Sequence, residues 1–350
     1  MEKFKTKFIV DFAYISKKDN VNLLIGNGFS KAMEATFDYS ETSKNIVKKI
    51  QGKVDKTELD IIKNYLMNIQ TTEYSNIEEF IYELMKLKAC FELCERDEDE
   101  ISELDALYKY ILSEFISEIA NSGLKNSNRV INDNINKIYS TNYLFEFQNY
   151  CNMCNHTNYI SYLIKDYEYA SGLNGKYIDY TDAEWKSYLN YLRRNNSDAT
   201  NTILYHIHGG FITTGENVYG SINKWKTNCE SPYVILDGTA AAKLDKIEAN
   251  NYTKKCFENF KNQNGDLVVL GNSLATSDNH LIQNIENLLV SNKLGEVVIG
   301  IFCEEEETEG QFIYKIHGEI VKFKREVRDR IKFIRVSNEE KTIEQITFKN

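Results

Sequence analysis

Two histidines in the segment His206-Ile207-His208-Gly209-Gly210 are the side chains of this sequence best suited to proton transfer. Imidazole titrates near neutral pH, so either one could act as a general base. If the segment is a strand, alternate side chains share a face, and both imidazoles point the same way. A metal site would need a third ligand, and the sequence offers no partner with convincing spacing. We interpret His206 as structural and His208 as the candidate base, although the spacing alone does not separate the two roles.

A second segment that could bind a ligand is rich in glycine, with the sequence Gly26-Asn27-Gly28-Phe29-Ser30. Glycine permits a tight turn and a close approach of the backbone to an anion such as a pyrophosphate, particularly where a helix begins. The full dinucleotide fingerprint has a third glycine three residues on, where this chain has Lys31. A plain turn between a strand and a helix is therefore the alternative interpretation.

Two more polar segments follow apolar runs, and both contain an asparagine. In Ser140-Thr141-Asn142-Tyr143, the amide offers a donor and an acceptor that could orient a water or a ribose hydroxyl. The segment Gly271-Asn272-Ser273-Leu274, with Asp278 and His280 behind it, could bind ribose or phosphate. Each also fits an ordinary turn, the second one leading into a helix over 281–290.

The order of these four segments along residues 20–300 resembles the sirtuin fold family. The nearer resemblance is to the bacterial sirtuin-like NAD hydrolases of anti-phage defence. This resemblance implies a catalytic pair, Asn142 and His208. It also implies contacts of the first glycine segment with the pyrophosphate and ribose of NAD, and of the last segment with the adenosine side. The implied NAD-binding residues are Gly26, Asn27, Gly28, Phe29, Ser30, Thr141, Gly271, Asn272, Ser273 and Asp278.

The chemistry implied by the resemblance is cleavage of the bond between nicotinamide and ribose, with NAD as the substrate. This cleavage passes through an oxocarbenium-like state, as glycoside hydrolysis does. Asn142 would position the attacking water or hold the ribose, and His208 would accept a proton. Unrestrained cleavage of NAD would be toxic, so we expect a homo-oligomer and an activating protein partner to control the activity.

Two departures from the family pattern keep other functions open. Deacetylase sirtuins carry two Cys-x-x-Cys pairs for zinc, whereas this chain has only Cys151 and Cys154 at that spacing, so we expect no metal. Leu144 stands where family members often carry an aspartate. The alternatives are a nucleotide-binding sensor or assembly subunit without catalysis, and an ADP-ribosyl transferase.

The elements that must position these segments are predicted from apolar runs. Short continuous runs bounded by glycine or polar residues are typical of buried parallel strands, and seven of them are found here. They cover residues 21–25, 137–141, 203–208, 233–236, 266–270, 296–302 and 331–336. We therefore predict an α/β protein with a Rossmann-like, sirtuin-like parallel sheet.

A block of helices is predicted to follow the first strand. Apolar residues from Leu104 to Ile119 keep the i, i+3, i+4 spacing of an amphipathic helix, and Ser75 with Glu78 forms a capping-box pattern. The acidic stretch 95–100 is predicted to be a solvated connection between two helices. The sheet core would then comprise residues 1–30 and 131–350, with 31–130 as the helical insertion.

Composition narrows the class of protein further. The 350 residues are 42% hydrophobic and 27% charged, which is ordinary globular usage. A net charge of −10 makes nucleic acid an unlikely direct ligand, since no overall basic surface is available for phosphates. No apolar run approaches the ~20 residues of a membrane span, and no secretory signal is found. Seven scattered cysteines fit reduced thiols, so we expect a cytoplasmic protein.

Overall fold

The structure of the protein is a computed structural model. It describes residues 7–32, 41–42, 44–46, 48–49, 77–96, 98–121, 131–142, 203–209, 235–236, 239–337 and 342–347. Tyr143, Leu144, the Cys151 and Cys154 pair and the capping box at Ser75 lie outside them.

The described strands form one six-stranded sheet in which every neighbouring pair is parallel. The order across the sheet is β3-β2-β1-β4-β5-β6, the order of a doubly wound Rossmann-like fold. The strands are β1 (Val21–Ile25), β2 (Ile135–Ser140), β3 (Ile203–His206), β4 (Gly265–Leu270), β5 (Leu294–Phe302) and β6 (Ile331–Val336). The predicted α/β class and parallel sheet are confirmed.

Strand β1 lies at the centre of the sheet because every one of its residues can be buried. Val21, Leu23, Leu24 and Ile25 are fully buried, and the one polar residue, Asn22, donates from Nδ2 to the backbone oxygen of Asn264 at 2.8 Å. A strand covered on both faces needs this continuous apolar pattern rather than an alternating one.

Register brings the ends of four strands together. Ile25 at the end of β1 lies opposite Ser140 of β2 and Leu270 of β4, and Ser140 lies opposite His206 of β3. The segments that follow these strands therefore leave the sheet at one edge. The chain runs outward from β1 through β2 to β3, then returns to place β4 on the other side of β1. Such a reversal of direction marks the usual ligand crevice of open parallel sheets.

Helices connect the strands and flank the sheet. The described helices are α1 (Phe12–Ser16), α2 (Asn27–Ala32), α3 (Ile77–Leu93), α4 (Glu98–Asn121), α5 (Ala240–Ala249), α6 (Asn251–Lys261), α7 (Asn279–Val290), α8 (Glu309–Ile320) and α9 (Thr342–Thr347). Both α3 and α4 lie in the predicted helical block and pack against each other. Buried Leu104, Ile111 and Phe115 lie on the predicted apolar face of α4.

Two sequence predictions about element boundaries are wrong. The acidic stretch 95–100 is not all connection, since α4 already begins at Glu98 and has three acidic residues in its first turn. There the helix dipole favours negative charge. The strand predicted over 233–236 is absent at its two described residues, because Ile235 and Leu236 have irregular backbone. The N–H of Ile235 instead donates to the backbone oxygen of His208 at 3.1 Å.

Among the helices of the described ranges, none is long and apolar enough to cross a membrane.

Candidate active site at the carboxyl edge of the sheet

Asn142 is fixed in place just after β2 by contacts with the end of its own strand and with the glycine segment after β1. Its side-chain Nδ2 donates to the backbone oxygen of Gly26 at 2.8 Å, and its N–H donates to Ser140 Oγ at 3.1 Å. The residue is 5% exposed. The structure therefore brings the predicted Asn142 next to the predicted glycine segment after β1.

The two glycine segments pack directly against each other. Gly28 donates its N–H to the oxygen of Gly271 at 2.8 Å, and Gly271 has a φ of 63°, in the left-handed region. A Cβ on Gly271 would lie 2.0 Å from the nitrogen of Phe29, and one on Gly26 would lie 2.6 Å from Asn272 Cα. These glycines thus allow two loops to approach closely. The amide of Gly28 is already bonded within the protein.

Some residues around this contact belong to the hydrophobic core, and others are exposed beside the candidate site. Phe29 is fully buried within the hydrophobic core, and Asn27 is partly exposed at the start of α2. Ser30 lies in α2, but its side chain is outside the described part of the chain. Ser273 is exposed, and its oxygen accepts from Lys322 Nζ at 2.8 Å.

A second link joins β2 to the loop after β4. Asn272 Nδ2 donates to Thr141 Oγ1 at 2.9 Å, while Asn272 Oδ1 accepts from the N–H of Leu274 at 2.8 Å. Thr141 in turn donates from Oγ1 to the oxygen of Ile25 at 3.2 Å. The segments after β1, β2 and β4 therefore form one hydrogen-bonded rim.

His206 and His208 do not point the same way, contrary to the expectation from a continuous strand. Strand β3 ends at His206, and residues 207–208 form a turn before Gly209, whose φ is 74°. His206 lies with Nδ1 3.3 Å from the backbone oxygen of Asn142. His208 instead turns toward helix α7. The two imidazoles therefore have separate surroundings.

His208 pairs with a second histidine, which follows the loop after β4. Its Nε2 lies 3.2 Å from Nε2 of His280, in the first turn of α7, and the ring centroids are 5.3 Å apart. His208 is 2% exposed and His280 3%. Asp278 lies close to both, with ligand-type atoms of all three residues within 4.8 Å of one another.

A buried ion pair supports this histidine pair. Lys243 of α5 is 1% exposed, and its Nζ lies 2.9 Å from Asp278 Oδ1. A buried ammonium is tolerable only beside an opposite charge, so the carboxylate and Lys243 stabilise each other. We call Lys243, Asp278, His208 and His280 the buried polar cluster.

Burial sets the protonation states of the cluster. It lowers the pKa of His208 well below the usual range, and the Lys243 charge adds to this effect while Asp278 opposes it. Burial likewise lowers the pKa of His280 to about 4. Burial alone would raise the pKa of Asp278, but the charge and hydrogen bond of Lys243, together with the two histidines, outweigh burial, so this pKa is lowered. At neutral pH the cluster therefore holds an ion pair and two neutral imidazoles.

One family profile matches the chain, that of a domain of unknown function, DUF4917, over residues 23–320. The chain belongs to the DUF4917 family. The matched span contains all three segments of the rim and the buried polar cluster. A comparison with curated proteins finds no match.

The sequence alone does not identify Lys243 and His280 of this DUF4917 protein as functional residues, although both belong to the buried polar cluster. The sequence places His280 only behind the last segment, and it does not single out Lys243. A signal for Lys243 exists, because it lies four residues before buried Ile247 and so shares the apolar face of α5. His280 likewise precedes buried residues on the inner face of α7, including Ile285.

The fold brings together three possible metal ligands, although the spacing in the sequence did not reveal a third one. His208, Asp278 and His280 form a donor set of the kind that zinc uses. The ammonium of Lys243, however, already balances the charge of the Asp278 carboxylate. A divalent cation would therefore enter a site with no net negative charge.

Proposed function

We propose that this protein hydrolyses NAD, releasing nicotinamide and ADP-ribose. The observation that carries the proposal is that hydrogen bonds join Asn142 and the two glycine segments at the carboxyl edge of the sheet, where strand order reverses. Strand β3 ends at the same edge, two residues before His208. Parallel sheets bind nucleotides at this place. The resemblance of the same segments to sirtuin-like hydrolases supplies the reaction, and NAD is its substrate rather than a resident cofactor.

The proposed reaction assigns a role to each member of the pair. The bond between ribose C1′ and the nicotinamide nitrogen breaks, and its electron pair stays with the nicotinamide. A water oxygen bonds to C1′, and one proton of that water goes to His208. Asn142, oriented by its bond to Gly26, holds the water or a ribose hydroxyl. The lowered pKa of His208 keeps its imidazole neutral and able to accept a proton, and the same shift makes it a weaker base than a free imidazole.

Control of this activity is part of the proposal. Depletion of NAD harms the cell that contains the enzyme, so we infer an anti-phage effector restrained by self-assembly or by a protein partner. The net charge of −10 argues against a nucleic acid as the direct ligand, since no overall basic surface is available for its phosphates.

The test is nicotinamide release from NAD by the purified protein and by three variants. We expect Asn142→Ala and His208→Ala to lose activity, by about 100- to 10,000-fold for the base. His206→Ala should lose less. The matched control is His317→Ala, an exposed histidine of α8. A His208→Ala variant that folds and keeps full activity would refute the mechanism.

A second candidate function is nucleotide binding without turnover, favoured by Leu144 in place of the family's aspartate. Calorimetry with NAD separates the two functions, because a sensor binds NAD and leaves it intact. Transfer of label from radiolabelled NAD to protein or DNA would instead indicate an ADP-ribosyl transferase.

A further inference from the structure

We propose that His280 is a positioning residue that fixes the tautomer of His208. The inference rests on the proposed function, because it concerns the group that accepts the proton. The structural basis is the contact between the two Nε2 atoms inside the buried polar cluster.

The contact can hold only one hydrogen between the two rings. Both imidazoles are neutral, so at a separation of 3.2 Å one Nε2 carries the hydrogen and the other supplies a lone pair. If His208 donates, its Nδ1 is left with a lone pair and can accept a proton. If His280 donates, Nδ1 of His208 carries the hydrogen, and His208 cannot act as a base. The proposed reaction therefore requires His280 to accept.

The surroundings of His280 commit it to this contact. Within the described ranges, Nδ1 of His280 is buried and has no hydrogen-bond partner, so its ring relies on the contact with His208. When Nε2 of His280 accepts, its hydrogen lies on Nδ1 and is left unpaired. The ring of Phe257 lies beside it, with centroids 5.8 Å apart. The charged groups nearest to the pair are Asp278 and Lys243. When His208 gains a proton from the water, the Asp278 carboxylate stabilises the resulting imidazolium, and the larger effect of the Lys243 charge opposes it.

The experiment compares two substitutions of His280 in the full chain. His280→Gln keeps an acceptor that Nε2 of His208 can reach, whereas His280→Phe keeps a planar ring without one. We expect His280→Phe to lower kcat for NAD cleavage by about 100-fold with KM unchanged, and His280→Gln to stay within about 10-fold of the wild type. His317→Gln is the control. Full activity of a folded His280→Phe, or equal losses in both variants, would overturn the proposal.

A spectroscopic measurement keeps this test separate from that of the hydrolase proposal. The chain has five histidines, so single substitutions assign the imidazole signals in long-range ¹H–¹⁵N spectra. We expect the hydrogen of His208 on Nε2 in the wild type and a loss of that preference in His280→Phe. A hydrogen on Nδ1 in the wild type would overturn the inference. Tight one-to-one zinc binding that His280→Phe abolishes would overturn it too, because both Nε2 lone pairs would then face the metal. Both measurements stand even if NAD is not cleaved.

Discussion

The burial of the Lys243 ammonium depends on the carboxylate beside it. Its side chain is 2% exposed, and Asp278 is the carboxylate that compensates its charge. Removing one member of a buried pair leaves the other charge in a medium that solvates it poorly. The pair therefore ties the position of α5 to the loop that leads to His280.

We expect Lys243→Met to lower the free energy of unfolding by about 3–5 kcal/mol, because Asp278 is left buried without its counter-charge. Urea denaturation measures this. Adding Asp278→Asn to Lys243→Met should recover part of the loss.

The control for this prediction is Lys254→Met, which removes a lysine that is 44% exposed and lies 3.6 Å from Glu248. Exposed pairs contribute at most about 1 kcal/mol. Equal losses in Lys243→Met and Lys254→Met would contradict the role given to burial.

At this scale the sequence predicts individual residues better than their contacts. Asn142 and His208 follow apolar runs, and their types suggest chemistry, so both can be identified as candidates. The pairing of His208 with His280 cannot, because it joins residues that are distant in the sequence. The different directions of His206 and His208 depend on the turn at Gly209, which an apolar pattern does not reveal.

At the scale of elements, the contact between the loops after β1 and β4 is the most demanding feature. Gly271 meets two constraints at once, a positive φ and no space for a Cβ. The loops carry Asn272 and the entrance to α2, so their spacing determines the shape of the rim.

We expect Gly271→Ala to destabilise the protein by about 2 kcal/mol or more, since the left-handed conformation alone costs about 1–2 kcal/mol and the clash adds to it. Thermal denaturation is the measurement.

Gly318→Ala is the matched control, because this glycine lies in α8 and, apart from the backbone of its own helix and its chain neighbours, no atom of the described residues lies within 4 Å of the position that a methyl group would take. In a helix, alanine is favoured over glycine by about 0.5–1 kcal/mol, so this variant should be slightly more stable. A tolerated Gly271→Ala would show that the two loops can separate.

Elements with strong patterns are predictable from the sequence. Strands β1, β4 and β5 are continuous apolar runs, and the apolar spacing in α4 spans four turns. The two wrong predictions of element boundaries have local causes. At 233–236 a short apolar run fits a loop as well as a strand, and Ile235 uses its N–H on the His208 turn. The start of α4 is hard to predict because acidic residues suit both a solvated loop and a first helical turn.

For the whole molecule, three buried histidines make stability depend on pH. The pKa values of His206 and His280 fall from 6.5 to about 4, and that of His208 also falls. Between these values the unfolded chain binds protons that the folded protein does not, so stability decreases as pH falls from about 6.5 toward 4.

We expect the free energy of unfolding to drop by up to about 1.4 kcal/mol per pH unit for each of these imidazoles in that window. Denaturation at a series of pH values measures the slope. The slope should become smaller in His206→Asn. A stability that is flat between about pH 6.5 and 4.5 would contradict neutral burial.

Ligand binding should also raise the free energy of unfolding of the whole chain. If NAD occupies the rim, a concentration of about 100 Kd stabilises the folded state by about 2.7 kcal/mol. We expect NAD to raise the melting temperature of His208→Ala, which binds without turnover. No shift with either NAD or ADP-ribose would count against a nucleotide site here.

The central position of β1 also has a consequence for synthesis on the ribosome. Its partners are β2, which begins at Ile135, and β4, which begins at Gly265. More than a hundred further residues must therefore be synthesised after β1 before the first of its neighbouring strands exists. At translation rates of about 5–20 residues per second this delay is on the order of 10 s, and longer for β4. During that time an apolar strand with two open edges is available to other chains. The nascent protein is therefore expected to depend on chaperones until β2 has been synthesised.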